Sequence, residues 1–142
     1  MKIKRIEHVA IAVRNMAKAR EIFEDKLGLS LEYEEDLPQY STKIAMLPIG
    51  QTYIELLESD RSDTETSKWI DAHGEGLFHI CLEVEDIESA LAELKGKGIK
   101  LIDEIPRTGH ANTRIAFLDP KSTGNVLIEL VEIPAGHAAA HA

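Results

Sequence analysis

The spacing of apolar and polar residues changes twice along the chain, each time in the same order. Residues 6–13 alternate as a strand does, and the apolar residues after Asn15 recur at helical spacing until Gly28. A second helix of this kind is predicted between Asp86 and Gly96. Asn15 and Asp86 are residue types that accept hydrogen bonds from a first helical turn, and glycine commonly ends a helix.

Three further strands are predicted after each helix, and a short helix is expected in the polar segment 60–75. The predicted strands cover 31–35, 42–47 and 53–58 in the first half, and 101–104, 114–118 and 126–131 in the second. The order βαβββ therefore occurs twice. We predict one α+β domain over residues 1–134, with repeats at about 3–59 and 76–133 and a flexible tail at 135–142.

The two halves also resemble each other in sequence. HVAIAV at 8–13 matches HICLEV at 79–84, a shift of 79 − 8 = 71, and YIELLE at 53–58 matches LIELVE at 127–132, where 129 − 55 = 74. Each half therefore contributes one histidine and one glutamate: His8, Glu55, His79 and Glu129. If the repeats pack about a pseudo-twofold axis, these side chains converge into a divalent metal site with two imidazoles and two carboxylates.

The alternation of side chains along a strand supports this interpretation. His8 shares its face with the small residues Ala10 and Ala12, and Glu55 and Glu129 face away from their aliphatic neighbours. A single histidine or glutamate on a strand is more often structural than a ligand. Four such residues at equivalent positions of the two repeats favour a metal site, because carboxylates in apolar strands are costly to bury without a positive partner.

Composition excludes several classes of function. A formal net charge of −9 argues against nucleic acid as a partner, because binding phosphate backbones needs clustered positive charge. Cys81 is the single cysteine, so no internal disulfide is expected. The sequence contains neither a signal-peptide pattern nor an apolar run of the roughly 20 residues that span a membrane, and we expect a soluble cytoplasmic protein.

Three segments resemble the vicinal oxygen chelate superfamily, and most closely its methylmalonyl-CoA epimerases. They are HVAIAV at 8–13, GLFHI at 76–80 and IAFLDPKSTGNVLIEL at 115–130, and the resemblance covers roughly residues 3–133. It implies paired βαβββ modules that form an incomplete mixed β-barrel around one divalent metal ion. The resemblance assigns the four ligand positions to His8, Glu55, His79 and Glu129.

The same resemblance implies an acyl-CoA substrate and a homodimer. Cobalt is the favoured ion, and manganese, nickel, zinc or iron also suit the donor set. The implied reaction interconverts (2R)- and (2S)-methylmalonyl-CoA by removing and returning the C2 proton, with the ion stabilising the enolate charge. Glu129 is our first choice as the base, and Glu55 is the second.

The chain departs from the epimerase pattern at several positions. Phe78 and Asp119 stand where members often carry histidine, and Asn125 stands where they carry glycine. Some members have glutamine in place of Glu55. Ile44 occupies the position of an acid that is proposed as a base in certain epimerases, so this chain lacks that base.

Three alternative functions remain open from the sequence. A glyoxalase I-type lactoylglutathione lyase would use the same four ligands. An extradiol dioxygenase would use two histidines and one carboxylate around iron, and Glu55 as a fourth ligand argues against it. A metal-free small-molecule-binding protein of this superfamily would not need the complete ligand set. His110 is expected either over the substrate or in a solvated loop.

Overall fold

The computed structural model describes residues 1–135 and shows the predicted βαβββ order in both halves. Three single turns of 3-10 helix, at Pro38–Tyr40, His110–Asn112 and Pro120–Ser122, connect strands. The elements are β1 Ile3–Val13, α1 Met16–Arg20, β2 Tyr33–Leu37, β3 Thr42–Ile49, β4 Thr52–Ser59, α2 Glu65–His73, β5 Gly76–Val84, α3 Ile87–Gly96, β6 Arg107–Thr108, β7 Arg114–Leu118 and β8 Ile128–Glu132.

The two predicted helix starts are confirmed. The Asn15 side chain accepts a hydrogen bond from the Lys18 amide at 3.0 Å, and the Asp86 side chain accepts one from the Ser89 amide at 3.1 Å. The helix after Asn15 is not uniform, however. Beyond α1 it widens into a π-helical segment, Glu21–Lys26, before the chain turns at Gly28 with a φ of +83°.

The predicted strand at 101–104 is wrong. Only Leu101 forms a β-bridge, to Leu118, and the neighbours of β7 in the sheet are β8 and β6. The amides of Ile102 and Asp103 both donate to one carbonyl, that of Phe117, at 2.9 and 3.2 Å. Because two consecutive amides bond to one carbonyl, the regular pairing of one residue with one residue is interrupted, as in a β-bulge. Pro106, which has no N–H to donate, follows shortly afterwards.

The described residues divide into two compact units, one of which is residues 9–78. Its strands lie in the order β2, β3, β4, β1, with residues 9–13 as its part of β1. β2, β3 and β4 pair antiparallel. Helix α1 packs on this sheet, and buried side chains of both form the core: Val13, Met16, Ala19, Ala45, Leu47 and Leu56.

The other unit consists of residues 1–8 and the chain from His79 onward. Its strands lie in the order β1, β5, β8, β7, β6, with residues 3–8 as its part of β1. β5 and β8 run parallel, whereas β7 pairs antiparallel with both β8 and β6. Helix α3 covers this sheet through a core of Val84, Ile87, Ala90, Leu91, Ala116, Leu118 and Leu130.

In each repeat, an amide at the start of the helix donates a hydrogen bond to a glutamate near the end of the last strand. The Met16 amide donates to Glu58 at 2.7 Å, and the Ile87 amide donates to Glu132 at 3.0 Å. These residues are equivalent in the repeat, because 87 − 16 = 71 and 132 − 58 = 74. The duplication seen in the sequence therefore extends to individual hydrogen bonds.

Within residues 1–135, no helix combines the length and the apolar character that crossing a membrane requires. The segment 60–75 contains a helix, α2, whose first turn is capped by the Thr64 hydroxyl. The predicted flexible tail at 135–142 lies outside the described residues, except for its first residue.

Candidate metal centre

Three of the four predicted ligands meet in the unit that contains residues 1–8 and the chain from His79. His8 lies on β1, His79 on β5 and Glu129 on β8. The two Nε2 atoms are 3.1 Å apart, and Glu129 Oε1 lies 3.0 Å from Nε2 of His8 and 3.1 Å from Nε2 of His79. The three ligand atoms therefore form a nearly equilateral triangle.

Strand pairing brings these side chains together. The parallel register of β5 and β8 places Cys81 opposite Glu129, and His79 shares the face of Cys81 because it lies two residues earlier in the same strand. β1 is the other neighbour of β5. All three ligands are buried, with His8 fully enclosed.

The dimensions of the triangle fit a metal ion. Nitrogen and oxygen ligands bind first-row divalent ions at about 2.1 Å, so two ligands at a right angle lie about 3.0 Å apart. The edges of 3.0 to 3.1 Å match this spacing. Two imidazole nitrogens and one carboxylate oxygen also form the donor set that borderline divalent ions prefer. The residues present therefore fit the expected metal.

Electrostatics favour the ionised form of Glu129 that a ligand requires. Burial alone raises the pKa of this carboxyl, but the charges and hydrogen bonds of His79 and His8 outweigh it, and the pKa lies well below its usual value. The pKa of the neighbouring Cys81 thiol is raised, first by burial and then by the negative charge of Glu129. Cys81 therefore stays a neutral thiol beside the ligands.

Glu55, the fourth predicted ligand, lies in the unit of residues 9–78. It stands on β4 opposite Met46 of β3 and is 3% exposed. A carboxylate enclosed to this degree needs a positive or hydrogen-bonding partner. The burial agrees with the ligand role, which stays a prediction.

Two residues near the ligands were missed or misjudged from the sequence. Glu7 is fully buried, and its Oε1 contacts Nδ1 of His8 and lies 3.3 Å from Nε2 of His110. His110 is 3% exposed, and its ring centroid lies 5.4 Å from that of His8, so the expectation of a solvated loop histidine is wrong.

One signal in the sequence could have drawn attention to Glu7. It is the only acid that directly precedes a ligand histidine, since the equivalent position in the second repeat, 7 + 71 = 78, is Phe78. Burial alone raises the pKa of Glu7, but hydrogen bonds and charges from His110 and His8 bring it well below its usual value. Glu7 is therefore a buried carboxylate anion.

Comparison with known proteins is consistent with this geometry. Residues 7–117 match the model of the Glyoxalase/Bleomycin resistance protein/Dioxygenase superfamily. The mitochondrial methylmalonyl-CoA epimerase of Mus musculus is 32% identical over 130 residues, which are 91% of this chain and 73% of that protein. The ethylmalonyl-CoA/methylmalonyl-CoA epimerase of Cereibacter sphaeroides is 30% identical over 133 residues, which cover 92% of this chain and 99% of that protein.

A solved structure extends the likeness to three dimensions. The methylmalonyl-CoA epimerase of Streptomyces coelicolor, in complex with 2-nitronate-propionyl-CoA, superposes with a TM-score of 0.89 at 31% identity. The match covers 94% of this chain and 97% of that one, which confirms the expected vicinal oxygen chelate fold. This chain belongs to the Glyoxalase/Bleomycin resistance protein/Dioxygenase superfamily and, within it, to the group that contains the methylmalonyl-CoA epimerases.

Proposed function

We propose that this protein is a metal-dependent methylmalonyl-CoA epimerase. The triangle of His8, His79 and Glu129 carries the proposal, because it supplies three ligand atoms at the spacing that one divalent ion requires. Membership of the epimerase group supplies the substrate class, an acyl-CoA thioester with an acidic C2 hydrogen.

His8, His79 and Glu129 would hold the ion, with Glu55 as the fourth ligand. When bound, the ion would polarise the thioester carbonyl and the carboxylate of the substrate, which is worth several kcal/mol of charge stabilisation. The resemblance favours cobalt, and the mixed nitrogen and oxygen donors also suit manganese, nickel, zinc or iron.

Glu129 is the base in this proposal. Only its Oε1 takes part in the triangle, so Oε2 is the atom assigned to accept the C2 proton. Inversion also needs a proton carrier on the opposite face of the planar carbanion. Glu55, equivalent to Glu129 in the repeat, is the first candidate for that second role.

Ile44 stands where certain epimerases carry an acid that is proposed as a base, and this difference supports the choice of Glu129. Ile44 lies on β3, is fully buried and cannot accept a proton. An epimerase with an apolar residue at this position must take its base from elsewhere, and the carboxylates at the ligand positions are the candidates that this chain offers.

Hydrogen exchange at C2 tests the function directly. Cobalt-loaded protein is incubated with (2S)-methylmalonyl-CoA in deuterated water, and the C2 proton signal and the appearance of the (2R) form are followed by NMR and a stereospecific coupled assay. We expect deuterium at C2 together with inversion, and reversible loss of both with a chelator. His79→Ala is the control, because it removes one of the three ligands of the triangle and should abolish both signals.

A glyoxalase I-type lyase remains the second candidate, because the same donor set serves both reactions. The protein is therefore also assayed with the glutathione hemithioacetal of methylglyoxal. Rapid formation of lactoylglutathione, with retention of the C2 proton of methylmalonyl-CoA, would replace the epimerase proposal. We further propose a homodimer, which light scattering on the purified protein would measure.

A further inference from the structure

Glu7 contacts two histidines through a single carboxylate oxygen. Its Oε1 meets Nδ1 of His8 and lies 3.3 Å from Nε2 of His110. We propose that Glu7 is a positioning residue, which sets the tautomer of the metal ligand His8, and that His110 fixes Glu7 in place. This inference rests on the metal site of the proposed function, although its first test needs no metal.

The chemistry of the contact determines the tautomer. The Glu7 oxygen that contacts His8 Nδ1 also faces Nε2 of His110, an arrangement typical of one acceptor shared by two ring N–H groups, so the proton of the His8–Glu7 contact lies on Nδ1. In a neutral imidazole the other nitrogen then carries a lone pair. That nitrogen, Nε2, is the one that faces His79 and Glu129 in the triangle. The Glu7 contact therefore prepares His8 as a metal ligand.

The surroundings hold Glu7 rigidly enough for this role. Glu7 and His8 are both fully buried, where an ionised carboxylate needs polar partners. His110 is held in turn by Thr113, whose hydroxyl donates to the His110 carbonyl at 2.7 Å and whose amide donates to the same carbonyl at 3.0 Å. These two hydrogen bonds close the turn that places the His110 ring beside Glu7.

The first test reads the tautomer in the wild-type protein. Metal-free protein with 15N-labelled histidine is examined by long-range proton–nitrogen NMR near pH 8, and the His8 signals are identified by their loss in His8→Gln. We expect a protonated Nδ1 and an unprotonated Nε2 for His8. A proton on Nε2 instead would overturn the proposal, and this result does not depend on whether any Glu7 variant folds.

The second test measures metal affinity. Loss of the outer partner of a ligand histidine typically weakens metal binding about 10- to 100-fold, so we expect that loss in cobalt titrations of Glu7→Leu, which has no acceptor for the His8 Nδ1 proton. Glu83→Leu is the matched control, because Glu83 is also a buried glutamate of the same unit but pairs with Arg5, at 2.6 Å. Unchanged cobalt affinity in folded Glu7→Leu would overturn the proposal.

The two proposals fail in distinguishable ways. If wild-type protein with the expected His8 tautomer does not bind cobalt, the metal site of the proposed function is wrong and the positioning role of Glu7 is wrong with it. If the metal binds but C2 exchange is absent, only the reaction is wrong. Neither the tautomer measurement nor the cobalt titration uses substrate.

Discussion

His8 and His79 hold equivalent positions in the two repeats, and their Nε2 atoms lie 3.1 Å apart in the folded chain. One divalent ion about 2.1 Å from each nitrogen would be shared by both rings at this spacing. The pair is therefore expected to be most stable with a metal bound.

We predict that His8→Ala or His79→Ala lowers metal content and thermal stability together. A ligand present at 100 times its Kd stabilises the native state by about 2.7 kcal/mol, and this contribution disappears with the site. Elemental analysis and thermal unfolding with and without cobalt measure the two effects. His73→Ala is the control, because His73 is an exposed histidine of α2. Full occupancy in the double variant of His8 and His79 would contradict the assignment.

Glu129→Gln should separate metal binding from proton transfer. The amide oxygen can still coordinate, so part of the metal should be retained, but an amide does not accept the C2 proton at neutral pH. A general base contributes typically 10²- to 10⁴-fold, and we expect a loss of that order in the C2 exchange rate per bound metal. Exchange near the wild-type rate would remove Glu129 from catalysis.

Glu55→Gln is the comparison for the Glu129 variant. Some relatives carry glutamine at this position as a ligand, so a mild loss of activity would mean that Glu55 coordinates without acting as an essential base. A loss as large as that of Glu129→Gln would identify it as the second proton carrier. Both variants are compared at equal measured metal content.

Cys81 should be unreactive in the native protein. It is fully buried, and burial together with the charge of Glu129 raises the pKa of its thiol, so almost no thiolate is present at neutral pH. A thiol reagent should label it only after unfolding in guanidinium. Leu77→Cys provides the reference, because Leu77 is 75% exposed and its replacement should add one thiol that reacts in the folded state. Rapid native labelling of wild-type protein would contradict the prediction.

Gly109→Ala should destabilise the turn that holds His110. A Cβ at this position would lie 2.7 Å from Cγ2 of Ile115, which is itself buried, and overpacking of this kind typically costs about 1–3 kcal/mol. Because Gly109 directly precedes His110, cobalt affinity should fall as well. Gly96→Ala in α3 is the control: a Cβ there meets no atom within 4 Å, and the change should leave affinity unaltered. Chemical denaturation and cobalt titration decide between these outcomes.

The sequence was sufficient where a feature depends on nearby residues or on the repeat. The caps Asn15 and Asp86 follow from side-chain chemistry within one helical turn, and His79 and Glu129 follow from the internal duplication. Their convergence required only that β5 and β8 pair in parallel.

The features that were missed depend on contacts between distant residues. Glu7 and His110 are 110 − 7 = 103 positions apart, and neither periodicity nor repeat register links them. The strand error has the same kind of cause: Leu101 and Ile102 are apolar, but the amides of Ile102 and Asp103 share the Phe117 carbonyl, which the pattern of side chains does not reveal.

The division of β1 between the two units has a consequence for any half-length form of this protein. Residues 1–8 come from the first repeat but belong to the unit built from the second, and they supply both His8 and Glu7. A fragment limited to residues 76–133 would therefore expose the edge of β5 and retain only His79 and Glu129 of the ligand triangle. A chain with one repeat would have to borrow this strand segment from a second copy, so single-repeat ancestors or engineered halves should assemble by strand exchange.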